Sequence, residues 1–220
     1  MIAAALKALG DVTSPEFRSV LWKALGLTLV LFVLLLLGVE ALFYFMTLLP
    51  YPWLETILAF ATGFGLLVLF FFLMVPVTAM FAGLYLDEVA AKVEQKHYAG
   101  DGIGNALSLA AGLWVSVQFG LLVLVINIVA LPFIFTGIGA LILITINAYL
   151  LSRQYFEMAA MRFMDSADAK QFRKDNGLTV FMAGYLPAVM SLVPLLNLIV
   201  PLFATSYFVH LFKRVQKSSV

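Results

Sequence analysis

The stretch TSPEFRS, Thr13 to Ser19, followed by Lys23, concentrates polar chemistry just ahead of the first long apolar run. Ser14 is a good N-cap and Pro15 a good first helical residue. A helix starting there offers unpaired N–H groups and partial positive charge, which suits an oxyanion. Arg18 and Lys23 add formal charge within the next two turns. The same residues also suit a plain helix cap with basic anchors. Glu16 favours that second role, because a first-turn carboxylate complements the dipole and repels an incoming anion. On sequence alone both roles stay open.

Two further polar residues sit in apolar surroundings. Glu40 is the acid deepest in such a run, where an ionisable side chain marks a function, meets a neighbouring helix or reaches the far interface. Asn197 lies between Pro194 and Pro201 in VPLLNLIVPL. There it can bond backbone groups freed at a bend, with Pro194 ending one helix and Pro201 in the first turn of the next. Other chemistry is absent. No G-x-x-x-x-G-K-[ST] is present, so no ATP hydrolysis is expected, and the glycines of GDGIGN follow a helical rather than a strand pattern. His97 and His210 are the only histidines, neither in metal-ligand spacing, and they read as surface or interface residues. With no cysteine there is no disulfide or thiolate site. No catalytic residue, metal ligand or cofactor is expected, and no nucleic-acid partner.

The elements that must carry these residues follow from composition. Of 220 residues 64% are hydrophobic and 11% charged, against about 45–50% and about 25% in soluble domains. The chain reads as an all-α integral membrane protein with a single domain over residues 1–220. Ile2, Leu6, Leu9 and Val12, at near-helical spacing, predict an interfacial segment over 1–19. Long helices are expected over 24–49, flanked by Trp22, Tyr51 and Trp53, and over 56–96, separated by a turn at Pro50 and Pro52. The second ends in a polar extension where Glu88 and Lys92 are i,i+4 partners, before the break at Gly100-Asp101-Gly102. Arg153 and Glu157 are spaced the same way.

Two more apolar regions, 105–152 and 178–214, are broken at LPFIFTGIGA and VPLLNLIVP. The limbs of the second hold about 15 residues, or about 22 Å, short of a hydrocarbon core of about 30 Å. They read as hairpins that dip into the membrane and return, joined by an amphipathic linker over 153–177. This topology puts all 13 Lys and Arg on one side, which predicts both termini in the cytoplasm.

In this order the chain resembles the CysZ family of bacterial sulfate permeases. The resemblance rests on SPEFRSV, VTAMFAGLYLDEVAAKV, LPFIFTGIGALI, the linker YFEMAAMRFMDSADAKQFRKDNG and, above all, VPLLNLIVPLFATSYFVHLFKR. It implies two transmembrane helices, two hemi-penetrating hairpins, a homo-oligomer in the lipid bilayer of the inner membrane, and inward passage of sulfate for cysteine synthesis. The family's Gly-x-Arg-Arg-like element maps onto Glu16, Phe17, Arg18 and Ser19, with Glu16 in place of the glycine and Ser19 in place of the second arginine. The resemblance therefore implies Arg18 as the anion attractor. The helix N-terminus from Ser14 to Phe17 and the Ser19 hydroxyl would donate hydrogen bonds, with Lys23 adding charge. Channel-like or ion-coupled passage needs binding weak enough to release. The alternatives are a permease for sulfite or thiosulfate, a membrane-shaping hairpin scaffold, and, without a convincing nucleophile or metal set, a membrane-embedded enzyme.

Overall fold

Helix α1, Ile2–Thr13, buries Ala4, Ala8, Asp11 and Val12, one face at i, i+4 and i+7/8 spacing. Ile2, Leu6 and Leu9 point the other way and are 79%, 65% and 52% exposed. The polar Asp11 is thus inside and the apolar row outside, the reverse of a helix on a water-facing surface. In the computed structural model the described residues are 1–15, 17, 19, 20, 22, 23, 26, 30, 33, 34, 37, 38, 41, 44, 86–106, 108–130, 138–197 and 199–218. The expectations for Glu16, Arg18, Glu40, the Pro50–Pro52 turn, the run from Thr56 to Tyr85 and the tip from Pro132 to Gly137 lie outside them.

Among the described residues the chain is all-α, without strands. The described positions from 15 to 44, Pro15 included, are helical, and among them Phe17 and Val20 are buried. A helical segment over 86–97 gives way to a 3-10 turn, Ala99–Asp101. Gly102 follows at φ 77, a left-handed value that favours glycine. Then come α2, Leu109–Ala130; α3, Gly139–Met161; α4, Ser166–Asp175; α5, Gly177–Met190; α6, Pro194–Asn197; and α7, Val200–Ser218.

The core forms around α7, in which every residue from Val200 to Lys213 is buried. A helix apolar nearly all round must be enclosed by others, and α7 packs against both α1 and α3. Phe212 anchors it, stacked on Phe163 at 5.5 Å between ring centroids and edge-on to Phe156 and Phe172 at 6.1 and 5.8 Å. Pro201 sits in the first turn of α7, as the sequence predicts, where its missing N–H costs nothing. At the other side of the bend α5 stops at Met190, and Pro194 opens the four-residue α6 rather than ending the limb. Asn197 is half-buried and makes no side-chain hydrogen bond among the described residues; its backbone N–H donates to the Val193 carbonyl at 2.8 Å.

Helices α3 and α5 are joined by a close crossing. A Cβ on Gly184 would stand 2.0 Å from the Ala148 carbonyl oxygen and 2.8 Å from Ser152 Cβ. Ala148 and Ser152, four apart, form the small-residue face that lets the two backbones approach. Past Ser152, where the sequence places a linker over 153–177, α3 continues to Met161, and the charges that leave the apolar run there are paired. Glu157 accepts from Arg173 Nε at 2.7 Å, closer than its i,i+4 partner Arg153 at 3.6 Å. The linker's remaining helix, α4, has Asp168 in its first turn and Arg173 and Lys174 in its last, each complementing the dipole. Taken over the described residues, no helix is long and apolar enough to cross a membrane. Helix α2, without a charge from Leu109 to Ala130, comes nearest, and it exposes Trp114, Leu121, Val125 and Val129 along one row.

The crossing makes a direct prediction. Gly184→Ala forces the backbones of α3 and α5 apart and should destabilise the protein by about 1–3 kcal/mol, read as a lower thermal midpoint in detergent. A midpoint equal to that of the parent chain would show that the crossing relaxes freely.

Candidate functional site

Asp11 enters the core from the last turn of α1 and is 1% exposed. A buried carboxylate must be hydrogen-bonded, and both oxygens are. Oδ1 lies 2.8 Å from His97 Nε2 and 3.6 Å from Lys96 Nζ. Oδ2 accepts from Ser206 Oγ at 2.7 Å and lies 3.0 Å from His210 Nε2. Burial opposes ionisation of Asp11, but the hydrogen bonds from His210, His97 and Ser206 outweigh it and hold the carboxyl well below its usual range. His210 is 1% exposed, and its Nδ1 lies 2.8 Å from the Tyr98 hydroxyl. Burial lowers the His210 pKa, helped by the charges of His97 and Lys7, although Asp11 opposes the shift. The neutral ring with its proton on Nε2 satisfies every partner: Nε2–H donates to Asp11 and Nδ1 accepts from Tyr98.

The reading of the two histidines as surface or interface residues is therefore corrected for His210, which is a core residue. They are distant in sequence but 4.8 Å apart between ring centroids, because segment 86–97 and α7 both pack where Asp11 enters. One ligand atom each from Asp11, His97 and His210 lie within 4.8 Å of one another. Among the described residues this is the group able to hold a metal ion.

Beside this centre the ring of Tyr98 gathers cations. The ammonium groups of Lys7, Lys213 and Lys217 stand 6.0, 6.0 and 5.9 Å from its centroid. Lys213 is 2% exposed, 3.7 Å above the Phe163 ring, and has no carboxylate within ion-pair distance among the described residues. Burial lowers its pKa, against the pull of Asp101 and Glu94. Asp101 pairs with Lys217 at 3.0 Å. Asp101 and Asp11 act on the Tyr98 hydroxyl, and Asp101 and Glu94 on Lys213, so these three lysines are offset by nearby carboxylates.

A second buried network braces the site. Arg162, at the end of α3, donates Nε to Glu94 Oε1 at 2.8 Å and Nη2 to Glu94 Oε2 at 3.0 Å, and pairs with Asp87 through Nη1. Its Nη2 also reaches the Gly104 carbonyl at 3.2 Å, while the Gly104 N–H donates to Glu94 at 2.9 Å. A Cβ at Gly104 would fall 2.7 Å from Arg162 Cβ, so the loop closes on the pair only because residue 104 is glycine. Burial works against the Arg162 charge, but Glu94 and Asp87 more than compensate and raise its pKa.

Of the candidate site residues singled out from sequence, those among the described residues do not join the Asp11 carboxylate cluster. Phe17 is fully buried and belongs to the core. Ser14 caps the C-terminus of α1, its hydroxyl donating to the Asp11 carbonyl at 2.8 Å. Ser19 accepts from Lys92 Nζ at 3.4 Å, and Lys23 reaches Glu88 at 3.3 Å, where Lys92 also pairs at 3.0 Å. Ser19 and Lys23 thus share one cluster with the Glu88–Lys92 pair expected from spacing. Sequence reading missed Asp11, Ser206, Tyr98 and Arg162. The one available signal was an acid, Asp11, following the apolar spacing of Ala4 and Ala8.

A family model described as sulfate transporter CysZ/etoposide-induced protein 2.4 matches residues 4–201. The match begins inside α1 and closes at the start of α7, so it takes in Asp11, His97 and Arg162 and stops before His210. No curated protein matches the chain.

Two outcomes follow from these networks. Arg162→Met leaves Glu94 buried without its counter-charge and should cost about 3–5 kcal/mol, whereas Arg162→Met with Glu94→Leu should recover much of that loss in the same denaturation assay. The unfolded chain protonates His210 near its ordinary value of 6.5, while the folded ring stays neutral to lower pH. In that window the unfolded state binds more protons, so stability falls as pH drops from about 7.5 to about 5. Equal midpoints at both pH values, in buffer with a chelator, would contradict the environment assigned to His210.

Proposed function

Because the chain belongs to the family of sulfate transporter CysZ and etoposide-induced protein 2.4, we propose that it is an inner-membrane permease that lets sulfate into the cytoplasm, without ATP. The family match over residues 4–201 is the observation that carries this reading. The outward apolar row of α1, with its polar Asp11 turned inward, supports a helix lying in the membrane interface. The uncharged α2, with its exposed row, supports lipid or protein contact rather than water. Both termini lie on the basic side, in the cytoplasm, and the hairpins dip without crossing.

The anion is attracted by Arg18 at the entry to the first span, with Ser19 as donor and Lys23 adding charge. Lys92, on the Ser19 hydroxyl, brings further charge to the same cluster. Glu88 offsets part of that charge, which keeps binding weak enough for release. Hairpins this short cannot enclose a path alone, so several copies assemble around it.

Purified protein in liposomes should take up labelled sulfate faster than empty vesicles. Arg18→Ala should weaken half-saturation about tenfold, the equivalent of about 1.4 kcal/mol. Flux equal to that of empty vesicles would remove the permease reading, and vesicle tubulation without flux would replace it by a scaffold. Uptake of sulfite or thiosulfate but not sulfate would keep the class and change the substrate. Unchanged Arg18→Ala kinetics would remove the site and leave the function.

A further inference from the structure

We propose that Asp11, His97 and His210 form a binding site for one divalent transition-metal ion of the zinc class, which ties α1 to segment 86–97 and to α7. Two imidazole nitrogens and one carboxylate oxygen suit zinc far better than magnesium or calcium, which prefer all-oxygen sets. One ligand atom from each residue already lies within 4.8 Å of the others. Tetrahedral zinc bonds of about 2.0–2.2 Å set ligand atoms about 3.4 Å apart, so a pair at the 4.8 Å limit closes by about 1.4 Å. Two of the three ligands, Asp11 and His210, are 1% exposed, so packing on three separate elements holds them near this geometry before an ion arrives.

The surrounding shell is of the kind metal ligands use. A metal-bound histidine donates its other N–H to an oxygen that orients the ring, and His210 Nδ1 has the Tyr98 oxygen at 2.8 Å. An ion on Nε2 moves the His210 proton to Nδ1, which then donates to Tyr98, so the ring stays neutral and the contact is kept. Ser206 Oγ, 2.7 Å from Asp11 Oδ2, steadies the carboxylate in the same way. Lys96 Nζ stands 3.6 Å from Oδ1 on a side chain 35% exposed, and it can swing into solvent as the ion takes its place. His97, 24% exposed at its side chain, marks the entry and leaves a fourth position to water.

The test uses the full chain in detergent micelles, stripped with chelator and titrated with Zn²⁺ by calorimetry and thermal melting. One ion per chain and a raised thermal midpoint are expected, and a Co²⁺-loaded sample should show the visible absorption of a low-coordinate nitrogen–oxygen site. His97→Gln, at the least buried ligand, should weaken binding at least about 100-fold and abolish the Co²⁺ spectrum, while Tyr98→Phe should weaken binding about tenfold. Should His210→Gln fail to fold, His97→Gln carries the test, its fold checked by circular dichroism in chelator. Less than one equivalent bound by the parent chain, or binding by His97→Gln equal to it, would overturn the site. Neither readout depends on sulfate flux, so this site and the permease reading stand or fall separately.

Discussion

The bidentate pair between Arg162 and the fully buried Glu94 is the contact on which the rest of the described structure depends. Two charges taken out of water are tolerated only when each is matched in geometry as well as in sign. That demand sets the end of α3, the rotation of segment 86–97 and the path of the chain at Gly104 simultaneously. With the segment's rotation set, Lys96, His97 and Tyr98 fall where Asp11 and His210 can meet them. In this arrangement both Glu94 oxygens are matched, by Arg162 and by the Gly104 N–H.

The Asp11 centre follows the same logic at a different junction. A carboxylate on the inner face of α1 gives that helix one favoured register against α7, where Ser206 and His210 stand one turn apart. The outer face is then free to be apolar. Water-facing helices bury their apolar stripe, but α1 keeps small residues and Asp11 inside and shows Ile2, Leu6 and Leu9 outside. In this way a buried polar contact and an exposed apolar row are two consequences of one placement.

Much of the helical layout was legible in the residues. The N-terminal helix, a helix end within a few residues of the expected break at Gly100-Asp101-Gly102, the bend around Pro194 and Pro201, and the i,i+4 pairs Glu88–Lys92 and Arg153–Glu157 are local, and local spacing reports them. The extent of α3 was not legible, because Arg153, Glu157 and Arg162 look like the charged end of an apolar run until Arg173 and Glu94 are seen beside them. The bend is also arranged differently in detail, with Pro194 starting a short helix rather than closing the previous one. Of the expected anion-site residues, Ser14 caps α1, Phe17 lies in the core, and Ser19 and Lys23 stand beside Lys92 and Glu88.

By itself the sequence determined the helical class, the strongly apolar character and the family resemblance. All of these rest on composition and on contacts within a turn or two of chain. Only the tertiary structure decided which polar residues act together. Asp11 meets Ser206 and His210 across nearly the whole length of the chain, and Arg162 meets Glu94 from a different helix. No spacing rule connects such positions; they meet because buried charge has to find a partner, and the packing of α7 between α1 and α3 determines which partners are in reach.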